Sequence, residues 1–248
     1  MFYAARALAH IGAEGRIVAR CGAGDEKLLR PRLEAVGLPV AFRTGEHTAG
    51  FTFHYEGDHR VMHVDEVGDP WTTADVTDRW VEEALGDVRW IQVGALLRTD
   101  FATGTLAALA RGDRRLLVDA QGLVRVARVG PLRRDAEVDR DVFASLTALK
   151  LSENEARTLA GGVEPEHVRK LGVPEIVVTL GSAGALVVTA SAAEHIPPVP
   201  VEGVVDPTGA GDSFSAGYLH ARAQGADPVE SARAANALAA DLVARGSS

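Results

Sequence analysis

The chain has 248 residues, 46% of them apolar, a formal net charge of −8 and one cysteine, Cys21. This length and composition suit one globular domain with an ample core; the acidic balance argues against broad nucleic-acid binding and against an anionic membrane surface. A lone cysteine excludes an intramolecular disulfide or a multi-cysteine metal site, and the lack of an 18-residue apolar run or a basic-then-apolar leader makes a reducing cytoplasm the expected setting.

Residues 1–11 read as a helix in progress, with Tyr3, Ala4, Leu8 and Ile11 on one face and Gly12 ending it. A short apolar strand follows at 17–21, in which Cys21 reads as a small buried residue. Residues 26–36 are amphipathic at helical spacing, with Pro31 as a kink or restart. The period then changes to two. Phe51, Phe53 and Tyr55 alternate with Thr52 and His54, residues 60–64 alternate again, and Glu56-Gly57-Asp58-His59 supplies the turn of a hairpin. With residues 40–43 this hairpin is expected to form a small sheet outside the main fold, a β lid at about 38–66. His54, His59 and His63 fall on it without a cysteine or paired carboxylate, so they predict solvent-facing or pocket-lining positions and no metal.

Gly68-Asp69-Pro70 breaks the chain and returns it to helix at 74–85. Strands are then expected at 88–93, 116–119, 146–150, 176–180 and 185–188, and helices at 100–111, from Ser152, and at 228–244. The Arg-rich stretch 124–137, with Gly130-Pro131, reads mainly as surface loop. Strands alternating with helices predict an α/β fold whose parallel sheet is covered on both faces, with ligands at the carboxyl ends of its strands.

The stretch Val204-Val205-Asp206-Pro207-Thr208-Gly209-Ala210-Gly211-Asp212-Ser213-Phe214 organises the rest. Phe214, Gly217, Tyr218 and Ala221 recur at the spacing of one buried helix face. Glycines at the start of such a helix let the backbone approach a ligand, and the free N–H groups there form an anion site. Asp212 in that ring of donors repels a phosphate, so it needs another task. General base fits: it takes a proton from a hydroxyl while the amides of Gly209, Ala210 and Gly211 hold the group being moved. The bland alternative is a glycine-rich loop capping a core helix.

This stretch resembles the signature of the ribokinase-like (PfkB) carbohydrate kinases, Asp-Thr-x-Gly-Ala-Gly-Asp, with Pro207 where threonine is commonest. The resemblance runs from about residue 2 to 245 and is strongest after residue 145. It implies a three-layer, doubly wound, mainly parallel sheet with a small β lid, in a single domain over 1–248. It implies ATP and Mg²⁺, with a monovalent cation as a further expectation, and transfer of the γ-phosphate to a hydroxyl of a sugar, nucleoside or related polyol. A homodimer through the lid is expected; nucleic acid and membrane are not. Family members open with a strand bearing an acidic residue and a Gly-Gly loop. This chain reads as starting inside the helix after that loop, which implies a shortened N-terminal edge. The alternative reading is a catalytically impaired nucleotide- or sugar-binding regulator of the same fold.

Other residues take expected roles from the same resemblance. Thr179, Gly181 and Gly184, in a strand-end Thr-x-Gly-x-x-Gly, are expected by the nucleotide phosphates with Thr208; taken without the signature they also read as a plain hairpin turn. Asn236 is expected near the adenine, or as a solvated helix position. Glu155, and more weakly Ser152 where the family has asparagine, are expected to act on Mg²⁺, and the same pair reads as a capping box. Gln121 and Arg125, beside Asp119 just past a strand, are candidate acceptor contacts with Tyr55 and Arg60, and the segment reads equally as a strand-terminating turn. There is no Gly-x-x-x-x-Gly-Lys-Ser/Thr and no complete Gly-x-Gly-x-x-Gly after a first strand, which excludes a P-loop and leaves an oxidoreductase poorly supported.

Overall fold

The structure, a computed structural model, describes residues 1–56, 59–201 and 207–246. In chain order it places α1 (Phe2–His10), β1 (Ile17–Gly22), α2 (Glu26–Glu34), β2 (Val40–Gly45), β3 (Gly50–Glu56), β4 (His59–Glu66) and α3 (Asp78–Ala84). Next come β5 (Trp90–Val93), α4 (Thr103–Leu109), β6 (Arg115–Asp119), α5 (Gln121–Val124), β7 (Gly130–Pro131), β8 (Ala148–Ser152), α6 (Glu153–Ala160) and α7 (Pro165–Val168). The chain ends with β9 (Glu175–Thr179), β10 (Ala185–Thr189), β11 (Ala193–Ile196), α8 (Ala210–Ala223) and α9 (Pro228–Arg245).

Six strands form the central sheet in the order β11-β10-β9-β8-β6-β5. β5, β6, β8 and β9 run parallel, and β10 and β11 close the far side antiparallel. Strands buried on both faces carry near-continuous apolar runs, and alternate residues here go to opposite layers. Leu116, Val118, Leu149, Leu151, Ile176 and Val178 pack with Leu106 of α4 and Ala156 and Leu159 of α6. Leu117, Ala148, Val177 and Val187 pack with Phe214 and Tyr218 of α8 and Ala232 and Ala235 of α9. The expected three layers are therefore present.

The lid differs from expectation in its third strand. β3 and β4 pair as the predicted hairpin, but the strand beside β4 is β7, through His63↔Pro131 and Val64↔Gly130. β2 instead pairs parallel with β1, from Ile17↔Val40 to Gly22↔Gly45. The reason is apolar burial: Val40 and Phe42 pack against Ala5, Ile17, Ala19 and Leu33 under α1 and α2. Thus 40–43 leaves the lid, and part of the stretch read as surface loop joins it. The turn residues Gly57 and Asp58 and the side chains of Tyr55, His59 and Arg60 lie outside the described residues.

β1 and β5 do not pair with each other. An open cleft of about 1610 Å³ separates them, lined by Ile17–Arg20 on one side and Trp90–Val93 on the other. Among the described residues no strand pairs with either of those facing edges. No described helix is long and apolar enough to cross a membrane.

Candidate active site

The signature turn opens α8. Gly209 is its N-cap in the left-handed region, φ 82° and ψ −3°, which an L residue adopts only at a cost. The neighbours of the missing side chain add a second reason: a Cβ there would lie 2.8 Å from Tyr3 Cβ and overlap the Tyr3 ring. Val204, Val205 and Asp206 lie outside the described residues.

Asp212 stands in the first turn of α8, its side chain 24% exposed. Its Oδ2 is 3.2 Å from the Met1 nitrogen; Met1 lines the large cleft, whereas Asp212 itself is not among the lining residues. The amide of Ala210 donates to the Pro207 carbonyl at 3.0 Å, and that of Ser213 to Gly209 at 2.8 Å. Gly211 and Asp212 fall at the helix start between them, where no carbonyl of the helix itself reaches the N–H. The Ala210 amide, one of the three expected to hold the group being moved, thus already serves the turn, and the Gly211 and Asp212 amides are the ones without an acceptor in the helix itself. Thr208 lines a separate small hollow with Tyr3, Arg6 and Ser213.

Beneath that turn lies a pair that sequence reading did not single out. Lys150 of β8 and Asp119 of β6 are register partners, and Lys150 Nζ meets Asp119 Oδ2 at 2.9 Å. Their side chains are only 8% and 5% exposed. A Cβ on Gly211 would lie 3.0 Å from Lys150 Nζ. Burial pulls the Lys150 amine down, but the Asp119 and Glu155 carboxylates outweigh it and hold the group above its ordinary range. The sequence signal was available: a charge between Leu149 and Leu151, in a strand buried on both faces, needs a partner.

Ser152 and Glu155 form a complete capping box at the start of α6. The Ser152 amide donates to Glu155 Oε2 at 2.7 Å, and the Glu155 amide to Ser152 Oγ at 3.4 Å. Among the described residues no group of three or more His, Cys, Asp or Glu side chains is placed to hold a metal ion. One remaining carboxylate oxygen fits a Mg²⁺ that keeps most of its waters and phosphate ligands, not a cage built from protein.

Thr179 ends β9, its hydroxyl donating to the Leu151 carbonyl at 3.2 Å. Residues 181–184 are the connection of the antiparallel β9–β10 hairpin, with Leu180 N–H donating to Gly184 O at 2.8 Å. Gly184 has φ 90° and packs so tightly on the end of β11 and the adjoining prolines that a Cβ would lie 2.8 Å from Pro198 N. Asn236 of α9 donates to the Pro197 carbonyl at 3.1 Å. The β9–β10 turn and α9 thus meet at one stretch, 196–198. On the acceptor side, Gln121 opens α5 with its amide on Asp119 Oδ1 at 3.1 Å, and Arg125 is half-buried in a bridge with Arg134. Tyr55 and Arg60 are Cα register partners in β3 and β4.

Residues 4–248 match the family described as pfkB family carbohydrate kinase. This chain belongs to that family. Among curated relatives of this pfkB member, 1-phosphofructokinase of Rhodobacter capsulatus is 37% identical over 55% of this chain and 42% of its own length. The 1-phosphofructokinase of Haloferax volcanii is 29% identical over 84% of this chain and 66% of its own. The chain therefore spans less than two thirds of the length of these relatives. A pyrophosphate-dependent kinase in the ribokinase family, complexed with a pyrophosphate analog and myo-inositol, superposes with a TM-score of 0.80 at 22% identity, covering 96% of this chain and 84% of that one. Arabidopsis thaliana ribokinase, complexed with ribose and ATP, gives 0.73 at 21% identity, over 98% and 80%. These two likenesses establish the ribokinase-like fold.

Proposed function

We propose that this chain transfers the γ-phosphoryl group of ATP to a hydroxyl of a sugar, nucleoside or related polyol. The observation that carries this reading is Asp212, partly exposed in the first turn of α8, in the same helical turn as two amides that have no acceptor in their own helix. Asp212 accepts the proton of the acceptor hydroxyl. The Gly211 and Asp212 amides, with the positive end of α8 behind them, stabilise charge on the group in transit. Such chemistry is mostly positioning and electrostatics, since the transferred group passes between two oxygens held in line. Thr179, Gly181, Gly184, Thr208 and Asn236 are assigned to the nucleotide side. Gln121, Arg125, Tyr55 and Arg60 are assigned to the acceptor side. Glu155, backed by Ser152, would hold Mg²⁺, and the ion would supply charge neutralisation at the phosphates. The β3-β4-β7 sheet is the proposed dimer surface.

The test is ADP release from ATP against ribose, fructose, fructose phosphates, inositol and nucleosides. Turnover with at least one is expected. Asp212→Asn should keep nucleotide binding and lose kcat by roughly 10²-fold or more, the low end of what a general base contributes. An Asp212→Asn enzyme within a few-fold of wild type refutes the assignment.

A further inference from the structure

Lys150 is a charged group, buried under the catalytic turn, that the mechanism above leaves without a task. A buried ion pair is a weak way to stabilise a sheet, because desolvation cancels most of the attraction and apolar residues of similar size often serve as well. β6 and β8 already carry Leu117, Val118, Leu149 and Leu151, all fully buried. The fold alone therefore does not ask for a lysine here.

Its position does have a reading. The ammonium bonds Asp119 at 2.9 Å and lies against Gly211, where even a methyl group would come within 3.0 Å of it. Gly211 is the residue whose amide opens toward the proposed phosphoryl group. The carboxylates of Glu155 and Asp212 also favour its charge. The cation is thus held by Asp119 and backed directly onto the helix start.

We propose that Lys150, clamped by Asp119 beneath the first turn of α8, is a positioning residue of the phosphoryl seat. It fixes the backbone at Gly211 and adds a permanent positive charge behind the amides that receive the transferred group. Asp119 aims the ammonium, and glycine at 211 leaves it room. The proposal rests on the kinase reading above.

The experiment compares wild type with Lys150→Met, Lys150→Arg and the double variant Lys150→Met/Asp119→Asn, which removes both charges and keeps an oxygen for the Gln121 amide. Each is assayed for thermal unfolding, for kcat and acceptor KM, and for binding of inorganic phosphate by calorimetry. The double variant is expected to fold, to lose kcat by roughly 10- to 100-fold, and to keep acceptor KM within about threefold. Its phosphate affinity should fall roughly tenfold or more, and Lys150→Arg should recover part of both losses. A folded double variant with kcat and phosphate affinity within about threefold of wild type overturns the proposal, as does a double variant that cannot fold, which would make the pair a structural element. If wild type turns over no acceptor, the kinase reading fails. Phosphate affinity alone then decides whether Lys150 serves an anion seat.

Discussion

Tyr3 occupies the space that Gly209 leaves by having no side chain. The relationship ties α1 to the turn that aims Asp212, because α1 lies along α8 with Ala4 and Ala7 against Ala216. Gly209→Ala meets two penalties. The left-handed backbone at φ 82° costs an L residue roughly 1–2 kcal/mol, and the overlap with the ring adds roughly 1–3 kcal/mol. Urea unfolding should record a loss near the sum, and Tyr3→Ala in the same chain should return the part due to overlap. A Gly209→Ala chain as stable as wild type would show that the turn adopts another conformation.

A second cluster sits at the opposite end of the sheet and should separate stability from activity. Tyr218 donates to Glu175 Oε2 at 2.7 Å, and Arg222 bonds the same carboxylate at 3.0 and 2.7 Å. Burial, reinforced by Glu175, pushes the Tyr218 phenol far above its ordinary range, so it stays a donor. Glu175 begins β9, whereas the signature turn packs through Gly211 on Lys150 within β8. Glu175→Ala leaves Arg222 buried without its carboxylate and should cost roughly 3–5 kcal/mol. Tyr218→Phe should cost roughly 1 kcal/mol, because Arg222 still satisfies Glu175. Denaturant unfolding measures both. The Tyr218→Phe enzyme should keep its kcat, and a large fall there would place this cluster in the catalytic machinery instead.

The features legible in the sequence were the ones encoded locally. The signature turn, α8 and α9 follow from glycine spacing and helical periodicity, and the Ser152–Glu155 capping box follows from two residues three apart. The lid's third strand was not legible, since β7 is two residues long and carries no alternation. Its place is set by a remote bond, from Leu132 N–H to Met62 O at 2.9 Å. β2 reads as a lid strand until its partner is known, and that partner, β1, lies across the α2 crossover. Lys150 was visible as a charge in an apolar run. Its proximity to Gly211, some sixty residues away, was not, since no spacing rule reports such a contact.

Asn236 tests the nucleotide side. Its amide holds the Pro197 carbonyl at 3.1 Å, where the β9–β10 turn also packs. Asn236→Leu removes one neutral hydrogen bond and should raise the KM for ATP by roughly 3- to 10-fold with little change in kcat. Steady-state kinetics with varied ATP decide the matter. An unchanged KM would move the adenine elsewhere.

Asp75 sets the acid limit of the β1–β2 unit. It accepts the Thr72 amide and hydroxyl at 2.9 and 2.8 Å, Arg20 Nη1 at 2.8 Å and Arg43 Nε at 2.9 Å. Arg20 and Arg43 are register partners in β1 and β2, so one carboxylate pins both strands to the segment before α3. Burial pushes the Asp75 carboxyl up, but the Thr72 bonds and Arg20 outweigh it and bring it down to about 2. A carboxyl held lower in the folded chain than in the unfolded one stabilises the fold above the unfolded value, near 4. That contribution, about 2 kcal/mol, is lost as pH falls from about 4 toward 2. Urea unfolding of wild type should therefore weaken steeply across that window. Asp75→Asn should be less stable at neutral pH and show a shallower decline on acidification, because it has no proton to take up there. Parallel pH profiles for the two chains would mean that other carboxylates carry the acid sensitivity of this unit.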